Sequence, residues 1–517
     1  MSAHSPEKRR GLILLPCLLL TAIAAGMIFS SESRNPSTDE AMWSYIGWNW
    51  TEHGAAPFVD SFDHKPPFVY EVYAVSNTVC PWAPVHCARW IGMAAMLAGA
   101  WIVCLLVWRW AGRSAGLVAM LLFGLTMSRH VVDGAHASHT ESFGALLAVL
   151  GFWLVDRMRT APLGRRSLLI GLAGLALGFA SLGVRQSELA TAAALLVFYL
   201  LMTRREPAGR RLRELGIAAG GVLIAGLLVM IPLWLSGATP GNYIHACWLS
   251  IGHVSTIQAT AAERIHVLSG FWQESFLVVL LIGALAFVFL RRRIAARGVP
   301  VWGLLVWAGL AFAAANVSGN NYGHQQKQAV LPLAILTALA IVELVGLARA
   351  PRKGPGRAEP WLVVLTLVFA FPLHAVTDSG YGQPDPAEFR AVAKKVRELS
   401  SPGEYVYVHG WGAEQVQFRA RRQSPTRHFN GFFLAMPGAH EQLRTDLTDA
   451  GPRLIVAPAP SVGQTGPGNL PEAQQLGPWF ADLLEKRYRP VEDIGGWRIY
   501  EYKTSVDVPF AETRPTP

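Results

Sequence analysis

Apolar runs of about 20 residues, separated by short polar segments, recur over most of the chain, and such a run matches the hydrocarbon thickness of a bilayer. The pattern predicts a polytopic all-α membrane protein. Lys8, Arg9 and Arg10 precede the first run, which is long and has no convincing cleavage site, so we interpret it as an uncleaved helix. The predicted spans are 11–30, 86–108, 115–129, 140–156, 168–184, 188–203, 215–236, 272–290, 300–316, 328–347 and 360–377.

The pattern changes after residue 377. An amphipathic period over 387–399 predicts a helix, and the stretches EYVYVHG, PRLIVAPAP and GWRIYEY predict strands. About 140 residues suffice for one small domain. We therefore divide the chain into a transmembrane domain, 1–377, with a first outer loop at 31–85 that holds interfacial helices, and a C-terminal α/β domain, 378–517, that ends in a disordered tail.

Charge and composition predict how the chain is oriented in the membrane. The chain is 52% hydrophobic and only 15% charged, well below the usual share of charged residues in soluble proteins. Lys and Arg concentrate in alternate loops, for example 157–166, 204–213 and 291–297. The positive-inside rule then predicts a cytoplasmic N-terminus and an extracytoplasmic C-terminal domain, and we expect a bacterial inner membrane. The net charge of +10 follows from this topology and does not indicate nucleic-acid binding.

The first outer loop carries the densest set of polar candidates. Ser37 and Glu40 fit a capping box at a helix start, which leaves Asp39 either as a first-turn acid favoured by the helix dipole or as a site residue. The aromatic residues that follow suit a helix at the level of the lipid headgroups. Lys65 stands before two prolines, which fix its position at a loop-to-helix junction.

Other polar residues that are hard to explain as lipid anchors also fall in outer loops, whereas the inner loops offer arginine and no Gly-rich phosphate loop. Any reaction is therefore expected at the outer face. These residues are His64; Arg129, His130, Asp133, His136, His139 and Glu141; Arg185, Gln186 and Glu188; His245 and His253; and His324, Gln325, Gln326 and Lys327.

Metal and disulfide chemistry stay open at this point. The outer histidines match no strong zinc spacing, so we predict no specific metal ligand and leave dependence on a divalent ion undecided. Cys80 and Cys87 fall in one outer loop, where they either form a disulfide or remain two free thiols.

Several motifs follow one another along the chain. The first outer loop contains Asp-Glu-Ala at 39–41, GAAPFVD and KPP. Further along come HTESFGALLAVLGFWL, GVRQSEL, HQQKQAVLPLAIL and EYVYVHGWGAEQVQFRARRQSPTRHF. Together these motifs resemble the GT-C fold glycosyltransferases, in particular the branch of protein O-mannosyltransferases and lipid A aminoarabinose transferases. The resemblance covers essentially the whole chain.

The resemblance implies transfer of a sugar from a polyprenyl-phosphate donor to an acceptor, with inversion. Asp39 would be the base, and Lys65 and Arg185 would hold the donor phosphate, with His324 and Lys327 as further phosphate candidates. Glu40, His64, Glu141 and Gln186 are additional site candidates. The aminoarabinose branch leads us to expect an acid directly before the lysine. Here His64 stands there and Asp63 one position earlier, which leaves the donor sugar undetermined.

Two other classes compete with this reading. A transporter or flippase of lipid-linked sugars would tend to place ionisable residues near the bilayer midplane, and the predicted spans have few there. A non-catalytic scaffold would not explain acids, lysine and arginine converging on one face. A ligase that transfers a preassembled glycan is a related enzyme class. The expected partners are membrane lipids, the lipid-linked donor and a glycan, lipid or protein acceptor.

Overall fold

The structure is a computed structural model, and it describes residues 16–21, 23–25, 36–127, 138–160, 165–203, 208–250, 277–316, 323–349, 386–459 and 475–503. Most of these residues are helical. A mixed sheet near the C-terminus is the main exception. We call 36–83 the first loop, and 386–459 with 475–503 the C-terminal layer.

Eleven helices of 12 residues or more precede the C-terminal layer in the described part of the chain. Two of them, α1 and α2, belong to the first loop, and the others are mostly apolar. Their bounds are α1 Thr38–His53, α2 Phe68–Val79, α3 Pro84–Ala111, α4 Arg113–Met127, α5 Thr140–Thr160, α6 Arg165–Ala180, α7 Leu189–Thr203, α8 Ala208–Leu235, α9 Leu277–Ala296, α10 Val301–Asn316 and α11 Lys327–Arg349.

Helices α3–α11 overlap nine of the predicted spans. Within the described residues, four stretches are long and apolar enough to cross a bilayer, namely Pro84–Ala111, Arg165–Gly183, Leu215–Leu235 and Lys327–Ala348. The predicted span 360–377 and about half of 11–30 lie outside the described residues, so the count of eleven stays a prediction. The spans predicted at 168–184 and 188–203 are joined by two 3₁₀ turns, Ser181–Gly183 and Gln186–Glu188.

The C-terminal layer is a four-stranded sheet with helices. Its elements are α12 Pro386–Leu399, β1 Val406–Val408, α13 Ala413–Ala420, α14 Ala439–Ala450, β2 Leu454–Pro458, α15 Pro478–Arg487, β3 Tyr488–Ile494 and β4 Trp497–Tyr502. The strand order is β1-β2-β4-β3, with β1 and β2 parallel and the other pairs antiparallel. The predicted helix and the three predicted strands are confirmed. β3 was not predicted, because the middle of this strand is exposed and contains Pro490. Its sequence therefore lacks the alternation of apolar and polar residues that predicts a strand.

Strands β1 and β2 of the sheet are buried on both faces. Val406 and Val408 of β1 point to one side, where they pack with α12 and α13. Tyr407, between them, points to the other side and joins a cluster that contains Trp43 and Tyr45 of the first loop. Successive side chains of a strand alternate between faces, so one face of the sheet shares its hydrophobic core with the first loop.

Helices α1 and α2 approach closely at Gly47. A β-carbon placed on Gly47 would lie 2.7 Å from the main-chain nitrogen of Ala74 and from the carbonyl carbon of Tyr73. Only a residue without a side chain allows this approach, so Gly47 fixes the spacing of the two helices.

We expect Gly47→Ala to destabilise the protein by about 1–3 kcal/mol, because the methyl group must push one backbone from another in a packed core. The midpoint of thermal unfolding in detergent would measure this. Gly309→Ala is the matched control, since nothing lies within 4 Å of a β-carbon at that exposed helical position. An equal loss in both variants would contradict the packing explanation.

Candidate functional site

Helix α1 begins with the predicted capping box. The Ser37 hydroxyl oxygen accepts a hydrogen bond from the Glu40 main-chain N–H at 3.2 Å, and the Glu40 carboxylate accepts one from the Ser37 N–H at 2.9 Å. This arrangement confirms the capping interpretation of Glu40.

The Glu40 carboxylate is also held by a buried arginine. Arg89 of α3 donates to both carboxylate oxygens, at 2.9 and 2.7 Å, and the Ser138 N–H donates to one of them at 3.0 Å. Burial opposes ionisation, but the Arg89 charge and these hydrogen bonds outweigh it and lower the pKa of Glu40 to about 2. Glu40 is therefore a fixed anion that joins α1 to α3.

Asp39 lies beside Glu40 on the first turn of α1 and is half-buried. Its charge acts on two groups from other elements, the Tyr73 hydroxyl of α2 and the Glu414 carboxyl of α13. Burial is the main reason that the pKa of Tyr73 is raised well above its ordinary value, and Asp39 adds to it. Asp39 is not part of the capping box, so the cap does not hold its carboxylate as it holds that of Glu40.

The Lys65 segment is organised by Asp63. One Asp63 oxygen accepts hydrogen bonds from the Trp43 indole N–H at 3.0 Å and the Tyr70 hydroxyl at 2.8 Å. The other accepts the His64 main-chain N–H at 2.6 Å and lies 3.1 Å from His64 Nδ1. Burial opposes ionisation, yet His64, Lys65 and the Tyr70 hydrogen bond lower the pKa of Asp63 overall. A buried carboxylate thus fixes the chain just before Lys65.

Two further elements hold the same segment from the side. The Gln186 amide donates to the carbonyl of His64 and, at 3.0 Å, to that of Cys247. The Cys247 thiol donates to the Lys65 carbonyl at 3.3 Å. The Lys65 side chain is half-buried and its backbone is fixed on both sides. The structure therefore brings the predicted site residues His64, Lys65 and Gln186 together.

Glu141 and Arg185 form a buried ion pair. Arg185 Nη1 contacts a Glu141 oxygen, and the Thr140 hydroxyl donates to the other oxygen at 3.0 Å. The exposed side-chain fractions of Arg185 and Glu141 are 8% and 2%. Arg185 therefore has an anionic partner within the protein, and a donor phosphate would have to share its guanidinium with Glu141.

The start of α11 lies next to the 3₁₀ turn 186–188. The Gln328 amide donates to the Ser187 carbonyl at 2.7 Å, and the Lys327 side chain is fully buried. The side chain of His324, and residues 129, 130, 133, 136 and 253, lie outside the described part of the structure. Among the side chains that the structure does describe, no group of three His, Cys, Asp or Glu is arranged to hold a metal ion.

Trp43 connects the two ends of the site. It lies one turn after Asp39 on α1, so the two side chains share a face of the helix. Its indole donates to Asp63, two positions before Lys65, and its ring packs edge-on against His139 at 5.9 Å between centroids. Trp43 therefore links the helix that carries Asp39 to the segment that carries Lys65.

The overall fold has relatives among solved structures. ArnT from Cupriavidus metallidurans bound to undecaprenyl phosphate matches 95% of this chain and 99% of its own, with a TM-score of 0.60 and 15% identity. AglB, an archaeal oligosaccharyltransferase from Archaeoglobus fulgidus in complex with an inhibitory peptide and a dolichol-phosphate, matches 96% of this chain and 75% of its own, with a TM-score of 0.54 and 13% identity. The chain has the GT-C fold. No protein-family model and no curated protein sequence matches it.

Within the GT-C fold, three residues of this site were missed or undervalued by sequence reasoning. Arg89 is one of them, although an arginine at the entry to an apolar span needs an anionic partner. Asp63 was noted only as a departure from a motif. Glu414 was not noted, because an acid within a C-terminal helix gives no sign that it faces α1.

The cysteines of the GT-C chain are free thiols, including Cys80 and Cys87. Of the two alternatives left open by the sequence, the structure has the unpaired one. A hydrogen bond joins the two side chains, so they lie side by side between α2 and the first turns of α3.

Proposed function

We propose that this protein is an integral-membrane glycosyltransferase that moves a sugar from a polyprenyl-phosphate donor to an acceptor at the outer face of the membrane, with inversion. The observation that carries the proposal is the fixed Lys65 segment beside the acid-bearing start of α1, in a chain whose fold is that of ArnT bound to undecaprenyl phosphate. AglB, with its bound dolichol-phosphate, supports the same class of donor.

In this proposal Asp39 accepts the proton of the acceptor hydroxyl as the acceptor oxygen forms its bond to the anomeric carbon. The bond from that carbon to the phosphate oxygen breaks, and the electron pair leaves with the polyprenyl phosphate. The negative charge then grows on the phosphate, and the Lys65 ammonium stabilises it as a fixed cation. Asp63 and Gln186 hold the backbone of His64, directly before Lys65, in place before the reaction, so little reorganisation is needed.

The other candidates take supporting roles in the proposal. Arg185 would contribute to the phosphate site only together with its partner Glu141, which makes it a weaker anchor than Lys65. Lys327 and His324 are further candidates for the same phosphate, and Lys327 stands next to Gln328, which donates to the Ser187 carbonyl. Glu40 holds α1 in position through Arg89, and His64 lies between Asp63 and the ring of Phe433.

A related activity, transfer of a preassembled glycan to a peptide, is the second candidate, and the likeness to the oligosaccharyltransferase AglB favours it. The two activities share the lipid phosphate as leaving group. They differ in the size of the donor glycan, so a donor panel that includes both kinds separates them.

The test uses purified protein in nanodiscs with a panel of isotopically labelled polyprenyl-phosphate sugars and envelope extract as acceptor, with and without a chelator. Release of polyprenyl phosphate is followed by mass spectrometry. Turnover of one donor supports the proposal and identifies the sugar. If no donor is consumed while labelled lipid crosses the bilayer, the protein is a flippase and the proposal fails.

We expect Lys65→Ala to raise the KM for the donor roughly 10- to 100-fold, because a charged hydrogen bond to phosphate contributes about 1.5–3 kcal/mol. Lys65→Arg should recover part of the loss, since it restores the positive charge. Lys394→Ala removes an exposed lysine from α12 and is the matched control. An unchanged donor KM in Lys65→Ala would remove Lys65 from the phosphate site.

A further inference from the structure

The C-terminal layer places a carboxyl group against the start of α1. Helix α13 begins at Ala413, and the Gln415 amide in its first turn donates to the Pro36 carbonyl at 2.8 Å, two residues before α1 begins. Glu414, next to Gln415, is buried and is hydrogen-bonded to the Thr38 side chain. The first turns of α1 and α13 therefore meet with their acidic side chains between them.

The buried Glu414 carboxyl has few groups around it that would stabilise a negative charge. Its Oε1 atom has no hydrogen-bond partner, and Asp39 on α1 is the charged side chain that acts on it within the described residues. On its other side α12 contributes apolar groups, Phe389 and Val392, to the core around Ala413. An isolated carboxylate is costly in such a place, whereas a neutral carboxylic acid can donate a hydrogen bond.

We propose that Glu414 is a positioning residue of the transfer reaction: the C-terminal layer places its buried carboxyl beside Asp39 and keeps the Asp39 carboxylate aligned with the acceptor. This inference rests on the proposed function, because it takes Asp39 as the base. The site is then complete only when α13 is docked on α1. The acid beside the base comes from a segment more than 370 residues further along the chain.

The electrostatics of Glu414 agree with this role. Burial, with a smaller contribution from Asp39, raises the pKa of Glu414 from 4.5 to about 7, so this carboxyl keeps its proton up to nearly neutral pH. The contribution of the protonated acid to stability is fully present below pH 4.5 and is lost as the pH rises through 7. Two carboxylates that face each other above pH 7 would repel and shift Asp39 from its place.

A spectroscopic test needs no substrate. Infrared spectroscopy of the full-length protein in nanodiscs would follow the C=O stretch of protonated carboxyls as the pH is raised. We expect the difference spectrum between wild type and Glu414→Gln to show one carboxyl that titrates near pH 7. In the Asp39→Asn background the same difference should titrate at lower pH, because the like charge has been removed. If Asp39→Asn leaves the titration where it was, the two carboxyls do not interact and the proposal is overturned.

A kinetic test separates positioning from a structural role. We expect Glu414→Ala to lower kcat by about 10- to 100-fold with little change in the donor KM, as a misaligned base would. Glu414→Gln, which can still donate a hydrogen bond, should keep more activity and lose the wild-type decline above pH 7. Glu398→Gln, an exposed acid on α12, is the control. If wild type transfers sugar and Glu414→Gln has the same pH profile, the positioning role fails while the proposed function stands.

Discussion

Asp39→Asn is expected to reduce sugar transfer by about 10²- to 10⁴-fold, which is the usual contribution of a general base. The asparagine has nearly the same size and can occupy the first turn of α1, so the capping box and the Glu40–Arg89 pair should persist. The loss should fall on kcat, since Asp39 is proposed to act on the acceptor proton and Lys65 on the donor phosphate. Initial rates of polyprenyl phosphate release at saturating donor would measure it.

Asp39→Asn has two controls: a variant on the same helix and a measurement of the stability of the fold. Glu52→Gln changes an exposed acid in the last turn of α1 and should keep the wild-type rate. The unfolding temperature of Asp39→Asn should stay close to that of the wild type. A variant that retains more than about a tenth of the activity would exclude Asp39 as the base.

Arg89→Ala is expected to destabilise the protein by about 3–5 kcal/mol, because it leaves the Glu40 carboxylate buried without its cation. The double variant Glu40→Gln with Arg89→Met should lose less than Arg89→Ala, since it removes the uncompensated charge. Thermal unfolding in detergent, with exposure of tryptophans as the signal, would compare the variants.

The pH dependence gives this second prediction an independent check. The pKa of Glu40 is lowered from 4.5 to about 2, so the pair contributes its stability above pH 4.5 and loses it as the pH falls through 2. Arg89→Ala should become relatively more stable as acid protonates Glu40. Arg498→Ala, which breaks an exposed ion pair in the β3–β4 hairpin, should change the unfolding temperature little at any pH. Equal losses in the two arginine variants would refute the role of burial.

The periodic parts of the fold were predictable from the sequence. Helices such as α3 and α11 follow from apolar length alone, and α12 follows from its amphipathic period. The capping box at Ser37 and Glu40 follows from residue types at fixed spacing. Each of these features is local, so neighbouring residues contain the information.

The contacts that join distant segments were not predictable in this way. Whether Glu141 pairs with Arg185, or Asp63 with Trp43 and Tyr70, depends on how helices pack rather than on local pattern. The position of Glu414 depends on the docking of α13 on α1, and the sequence pattern of neither helix predicts that contact. The resemblance to GT-C transferases selected Asp39 and Lys65, while the buried partners that hold the site came from the structure.

The hydrophobic core shared by the first loop and the sheet bears on how the protein is made. The Tyr45 hydroxyl donates to the Arg422 carbonyl across 377 residues of chain. At ordinary rates of synthesis the first loop must wait on the order of 20–80 s for that partner to emerge. Tyr45 and Phe62, which pack on Phe429 and Phe433 of the C-terminal layer, stay uncovered in that interval. Biogenesis should therefore depend on a factor that shields the first loop until the last segment has been synthesised, and chains that stop after α11 should be recognised as unfinished and degraded.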